Sequence, residues 1–325
     1  MKLQTQIALK KQEPNALIDY NSKIVLIGSC FSDNIGKKLA YFKFYNLQNP
    51  LGILFHPKAI ETLISKAINK KKYSEKDVFF HTEQWHCFEA HSKLSHSSKN
   101  RLLNKLNEQL DATYKGLEKA SHIIITLGTA WVYRFVKSDE IVSNCHKVSQ
   151  KEFKKELLRV EAICQSLHAM VDLIGRINPN ASVVFTVSPI RHLKDGFIEN
   201  MQSKAHLITA IHQFLNQQSC ITSCNAFYFP SYEIMMDELR DYRFYKEDMI
   251  HPNETAIQYV WEKFQQVWMS ESALKTMEEV DGVQKSILHK PFNANSEAHR
   301  GFLQKLEYRK IKLQKQHSCI VFHAK

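Results

Sequence analysis

Ser29 and Cys30 set a hydroxyl and a thiol side by side directly after Gly28, and His251 stands in a carboxylate-bearing segment more than 200 residues later. Those types suit acyl transfer. A serine becomes a useful nucleophile when an imidazole takes its proton, and the imidazole does so best when a carboxylate holds its other ring nitrogen. Cys30 offers a second nucleophile in the same turn, and an adjacent thiol takes the role if the turn presents it instead of Ser29. Two further polar groups, Gly128-Thr129 and Arg191-His192, each follow an apolar run. Each feature has a plainer reading beside the chemical one: Ser29 as a helix cap, and His251 as a surface histidine in a capping loop.

The elements that must position these residues follow from the runs around them. Ile24-Val25-Leu26-Ile27 is apolar without polar alternation, which suits a strand buried on both faces of a parallel sheet. Gly28 permits a tight turn, and Ile35, Leu39 and Phe42 then recur at helical spacing, with Ser32 or Asp33 as the expected cap. Ser29 would therefore lie at the carboxyl end of a strand and beside a helix N-terminus, where free N–H groups and the helix dipole favour negative charge. Ile123 to Leu127, before Gly128-Thr129-Ala130-Trp131, repeats that layout, and Val183 to Val187 runs into Ser188-Pro189-Ile190-Arg191-His192. In open α/β sheets, ligands sit outside the carboxyl ends of such strands. Asn253 is placed to cap a helix carrying Ala256, Val260, Phe264 and Val267, which leaves Asp248 and His251 in the preceding loop.

The remaining segments are expected to cover the sheet. Pro57 opens a helix through Ile60, Leu63, Ile64 and Ala67, and Leu102, Leu106 and Leu110 mark another over 99–117. Further helices are expected over about 151–177 and 199–217, with a short strand at Phe227-Tyr228-Phe229. Residues 1–22 read as an extended arm. Residues 73–96 read as a small insertion with two short strands, and the five-residue spacing of His81, His86, His91 and His96 argues against a metal site there.

Composition narrows the function classes. The 325 residues are 44% hydrophobic, enough for a sizeable core, and no run approaches the ~18 apolar residues needed to span a bilayer. The first residues lack the apolar stretch of a signal peptide, and seven irregularly spaced cysteines suit a reducing compartment, so the expected location is cytoplasmic. Cys220 and Cys224 lack zinc-site spacing and read as buried thiols. The net charge of +11 is concentrated in the last forty or so residues and in Lys70-Lys71-Lys72, which points to solvated surface rather than a nucleic-acid site. No Gly-rich dinucleotide loop or Walker loop is present, and no cofactor or metal is expected. The chain divides into 1–280, with the insertion, and a basic helical or partly disordered tail, 281–325.

Gly28-Ser29-Cys30-Phe31 together with Asp248-Met249-Ile250-His251-Pro252-Asn253 resembles the GSCFA family, a bacterial group related to the SGNH/GDSL hydrolases. Asn49-Pro50-Leu51-Gly52, Thr126 to Trp131, Asn144-Cys145-His146-Lys147 and Ser188 to Gly196 extend the resemblance over roughly residues 24–260. It implies a three-layer α/β/α, flavodoxin-like, mostly parallel sheet and an ester hydrolase-type site. Ser29 would be the nucleophile, His251 the general base and Asp248 its orienting carboxylate. Gly52 would aim a backbone N–H at the oxyanion beside the N–H of Ser29. SGNH hydrolases place an Asn two residues after the glycine that corresponds to Gly128, and here that position is Ala130, which leaves Thr129, Arg191 or His192 to substitute. The implied activity is that of a serine esterase or acyltransferase acting on a small acyl ester, including acylated carbohydrates. The alternative is a non-catalytic module binding a sugar or anion in the same strand-end pocket.

Overall fold

The structure is a computed structural model and describes residues 3–217 and 224–322. Its centre is a five-stranded sheet made of β1 (Lys23–Gly28), β2 (Tyr45–Gln48), β5 (His122–Leu127), β9 (Ser182–Val187) and β10 (Asn225–Tyr228). All four pairings are parallel, in the order β10-β9-β5-β1-β2. Counted within this sheet alone, the order is 2-1-3-4-5, the flavodoxin-like order, and the direction of winding reverses between β1 and β5.

Alternation along the strands decides which helices cover which face. Val25, Ile27, Ile123, Ile125, Val183 and Phe185 pack with α2 (Pro57–Ile68), α3 (Lys99–Lys119), α4 (Val160–Ile177) and α5 (Phe197–Gln217). Ile24, Leu26, Ile124 and Val184 point the other way, towards α1 (Cys30–Tyr41), α7 (Glu254–Trp268) and α8 (Glu271–Leu288). The result is three layers with apolar strands buried on both faces, as their unbroken hydrophobicity requires. The basic C-terminal helix α9 (Glu297–Gln316) adds Leu313 to the second core, and Ile320 and Phe322 follow it there. At the other end, Ile18 of the N-terminal arm bridges to Met269 after α7.

Several segments follow the expected pattern closely. The insertion contains the hairpin β3 (Phe79–His81) and β4 (Gln84–His86), α2 starts at Pro57, and Asn253 Oδ1 caps α7 by accepting from the Ala256 N–H. Two differ. Helix α1 begins at Cys30, and its cap is Ser29, whose Oγ accepts from the Phe31 N–H, rather than Ser32 or Asp33. The helix expected from Lys151 starts only at Val160, because Phe153–Leu157 forms strand β8. It pairs with β6 (Trp131–Phe135), which also holds β7 (Glu140–Val142) in a three-stranded antiparallel sheet. Cross-strand bonds and the Arg134–Glu156 ion pair (3.2 Å) override a local pattern that also fits a helix. A short turn of helix, α6 (Ser231–Glu233), continues as a π-helical turn over Ile234–Glu238. Cys224 is buried with its thiol directed at the Val171 carbonyl, and Cys220 lies outside the described residues.

Candidate active site

Gly28 ends β1 with φ +141°, and a Cβ there would lie 2.1 Å from Thr126 O, so only glycine lets β1 close on β5 at this point. The chain then turns into α1, and the Ser29 N–H donates to Thr126 O at 3.1 Å across the reversal between β1 and β5. Ser29 thus sits where this sheet topology opens its crevice. It is fully buried, at 0% exposure. Its hydroxyl accepts from the Phe31 N–H at 3.2 Å and lies at the positive end of α1. Cys30 is the first residue of that helix and packs against the second core; burial, the largest influence on it, raises its thiol pKa. A raised pKa keeps the thiol protonated and weakens it as a nucleophile.

The loop after β2 braces the same turn. Asn49 Oδ1 accepts from the Gly28 N–H at 2.8 Å, while Asn49 Nδ2 donates to Asp33 Oδ1 at 2.6 Å. Gly52 has φ +76°, and a Cβ there would come within 2.4 Å of His91 Cβ. Its N–H donates to Asn49 O at 2.7 Å. Both N–H groups named for an oxyanion, those of Ser29 and Gly52, therefore already have carbonyl acceptors. The N–H groups of Gly128 and Thr129 both donate to Phe55 O, at 2.7 and 3.1 Å. Thr129 Oγ1 meets Ser203 Oγ at 3.0 Å, and the N–H of buried Ala130 donates to the same serine at 2.7 Å.

The base side is assembled by the loop that precedes α7. Asp248 Oδ2 meets His251 Nδ1 at 2.7 Å, and Asp248 Oδ1 accepts the N–H groups of Ile250 and His251, both at 2.9 Å. Met249, with φ +55°, provides the sharp turn that lets one carboxylate reach all three donors. The backbone N–H of His251, then that of Ile250, then the imidazole hold the Asp248 carboxyl down to about 2, so it remains an anion and fixes the ring. His251 Nε2 has no hydrogen-bond partner among the described residues, and no hydrogen bond joins it to Ser29 Oγ. A carboxylate-held imidazole with one open nitrogen can accept a proton from a hydroxyl brought to it.

Arg191 and His192 connect the two sides. The Arg191 N–H donates to Ile250 O at 3.2 Å and its Nη1 to Met249 O at 3.0 Å, which latches the His251 loop to the end of β9. The His192 N–H donates to Asn200 Oδ1, and its ring meets Phe55 edge-on at 5.5 Å. His192 Nε2 is out of solvent without a hydrogen-bond partner among the described residues; burial, then the charges of Lys204 and His251, lower the ring to about 3, so it is a neutral imidazole.

The sequence reading missed Lys204, which is 1% exposed. Its Nζ donates to Gly128 O and Ser188 O, both at 2.7 Å, so it ties the ends of β5 and β9 together beneath the rim. Burial pushes the ammonium down to about 7. The available signal was its spacing: Lys204 falls on the same helical face as Leu207 and Ile211, where a surface lysine has no place. Among the described residues there is no cluster of His, Cys, Asp or Glu that could hold a metal. The insertion histidines have other contacts: His86 meets Ser95 Oγ and His81 O, and His96 Nδ1 accepts from the Ser98 N–H. A pocket of about 330 Å³ lies behind the His251 loop, with Arg191 in its wall. A larger cleft of about 810 Å³ between α1, α7 and α8 contains none of the residues above. Among the described residues no helix is long and apolar enough to cross a membrane.

Comparison with known proteins places the chain in a family. No curated protein matches the chain. Two solved structures are similar at 10% identity and a TM-score of 0.37: a carbohydrate esterase family 3 from Talaromyces cellulolyticus and an acetyl esterase mutant with an acetate ion. They cover 80% and 81% of this chain and 99% of each of their own. The model of the GSCFA domain protein C-terminal domain matches residues 280–325. The GSCFA family model matches residues 23–264, a span that holds Ser29, Gly52, Gly128, His192, Asp248 and His251, and the chain belongs to the GSCFA family.

Proposed function

We propose that the protein is an SGNH-type serine esterase or acyltransferase acting on a small acyl ester, with an acylated carbohydrate or similar polyol as the substrate class. The observation that carries this reading is the preformed Asp248–His251 pair, with a 2.7 Å contact on Nδ1 and an open Nε2, on the same strand-end rim as a serine at a helix N-terminus. His251 takes the proton of Ser29 as Oγ attacks the ester carbonyl. The tetrahedral oxyanion collapses to an acyl-enzyme, and His251 returns the proton to the departing alkoxide. Water or a second hydroxyl then attacks the acyl-enzyme by the same route. Asp248 stays ionised throughout and stabilises the imidazolium.

The oxyanion requires N–H groups that now donate to Thr126 O and Asn49 O, so attack includes an exchange of acceptors and an opening above Ser29. With Ala130 where an Asn would add a donor, the expected rate is about 100-fold to 1,000-fold below that of a hydrolase with a complete hole. The direct experiment is hydrolysis of p-nitrophenyl acetate combined with fluorophosphonate labelling. Both signals are expected from the native protein and from Cys30→Ala, and neither from Ser29→Ala. Activity that survives in Ser29→Ala and vanishes in Cys30→Ala would move the nucleophile to the thiol.

The second reading, a ligand-binding module on the same fold, is favoured by the occupied N–H groups and the full burial of Ser29. It predicts no labelling of the native protein at any pH, together with measurable binding of a sugar or an anion.

A further inference from the structure

The pocket behind the His251 loop contains two arginines with no carboxylate in ion-pair contact among the described residues. Arg191 and Arg240 both line it, and neither forms an ion pair among the described residues. The carboxylate nearest in sequence, Asp241, also lines the pocket but is bound to Arg243 at 3.1 Å. The guanidinium of Arg191 sits among the rings of Phe197, Tyr245 and Tyr242, at 4.9, 5.6 and 5.7 Å from their centroids. Among the described residues only one of its side-chain donors is hydrogen-bonded, to Met249 O. Aromatic packing fixes the plane of the fork while most of its N–H groups remain unspent, an arrangement suited to bidentate recognition of a carboxylate or phosphate.

Apart from Asn200 and the paired Asp241, the rest of the pocket is lined by aromatic, methionine and leucine side chains and is open to solvent. Phe197, Tyr242 and Met201 line it while remaining 64%, 60% and 55% exposed. Large apolar groups left exposed together at a rim mark a binding surface rather than ordinary surface scatter. At about 330 Å³ the pocket lies at the lower end of the roughly 300–1,000 Å³ usual for small ligands. It therefore fits one arm of a substrate rather than a whole large molecule. Its position ties it to the chemistry, because Arg191 bonds the carbonyls of Met249 and Ile250, the two residues before His251.

We propose that this pocket binds the non-reacting arm of the substrate, an apolar chain ending in an anionic group, with Arg191 and Arg240 receiving the anion and the aromatic and methionine side chains receiving the chain. The proposal rests on the ester-transfer reading for the word substrate, but the binding itself does not depend on turnover. An ester with such an arm would be held by its charged end while its carbonyl faces the Ser29 and His251 side of the loop.

The test uses full-length Ser29→Ala protein, so that binding is read without reaction. Octanoate, octyl phosphate and 1-octanol are titrated by calorimetry. Octanoate or octyl phosphate is expected to bind at least about tenfold more tightly than octanol, the equivalent of one charge-assisted hydrogen bond. The stronger of the two anions identifies the headgroup as carboxylate or phosphate. Arg191→Gln and Arg240→Gln, each added to Ser29→Ala, are expected to narrow that preference about fivefold or more. Arg240→Gln lies on the exposed rim and decides the matter if Arg191→Gln disturbs folding. Equal affinity for octanol and both anions, absence of binding by all three probes, or an anion preference untouched by Arg240→Gln would overturn the proposal. In the native protein, mono-p-nitrophenyl suberate is expected to be cleaved with higher kcat/KM than p-nitrophenyl octanoate. If neither ester is cleaved while octanoate still binds through the arginines, the esterase reading fails and the anion site stands.

Discussion

Ser29 is held by backbone bonds at the meeting of β1, β5 and α1 and has no exposed surface, whereas Asp248 and His251 stand on a partly exposed loop with their mutual geometry already set. One half of the site is packed like a core and the other like a surface. Under the proposed mechanism, the difference matches what each half would have to do. A nucleophile gains from a rigid turn and a helix dipole, which only closely packed strand ends supply. A base needs an open nitrogen and solvent access to lose its proton, which a loop supplies. The cost is that Ser29 must be uncovered before anything can reach it. In this protein, activation is therefore expected to depend on the strand-end side more than on the base side.

The largest effect comes from breaking the packed half directly. Ser29→Ala is expected to reduce ester hydrolysis by about 10,000-fold or more, while loss of the α1 cap costs only about 1 kcal/mol of stability, as read by single-turnover kinetics and calorimetry. On the open half, Asp248→Asn keeps the shape of the loop but leaves the imidazole without its anion. A loss of about 1,000-fold to 10,000-fold in kcat, with KM nearly unchanged, is expected. If Asp248→Asn costs less than tenfold, the loop pair is a turn-forming contact rather than a catalytic one.

Gly28→Ala tests the closeness of the strand ends without touching a polar group. With a Cβ forced to within 2.1 Å of Thr126 O, the strand must shift. Urea unfolding is expected to show a loss of at least about 2 kcal/mol. Lys204 offers a finer measure of the same region. The folded state lowers its pKa from 10.5 to about 7, so between those values the unfolded chain binds the proton that the folded chain releases. Stability linked to Lys204 therefore rises with pH through that window and is flat below it. Measured by urea unfolding at pH 7 and at about pH 9.5, the native protein should gain stability relative to Lys204→Met. Parallel pH dependence in the two proteins would mean that the ammonium is better solvated than its burial implies. The smallest effect belongs to the loop side: Asn253→Ala removes the α7 cap and the Asn253 Nδ2 bond to Arg243 O, and about 1 kcal/mol of stability is expected to go with it.

Much of this arrangement was legible before any coordinates. The apolar runs at Ile24, Ile123 and Val183 are strands because residues buried on both faces leave no alternation to misread. Pro57 and Asn253 mark helix starts by local chemistry, so their elements lie where expected. The strand Phe153–Leu157 was not legible, because its stability comes from pairing with Trp131–Phe135 and not from its own pattern. Lys204 was not singled out either, since a lysine on an apolar helix face declares itself only when the carbonyls of Gly128 and Ser188 are brought to it.

The sequence by itself determined the parallel-sheet class, the candidate serine and the Asp-x-x-His loop, because each is written in neighbouring residues and short-range stereochemistry. Only the tertiary structure decided that Ser29 is closed over, that its N–H and that of Gly52 already have acceptors, and that Arg191 joins the base loop to an arginine-lined pocket. Those outcomes depend on which strand ends meet across the sheet. Contacts between residues 20 to 200 positions apart are set by packing, and no local pattern records them.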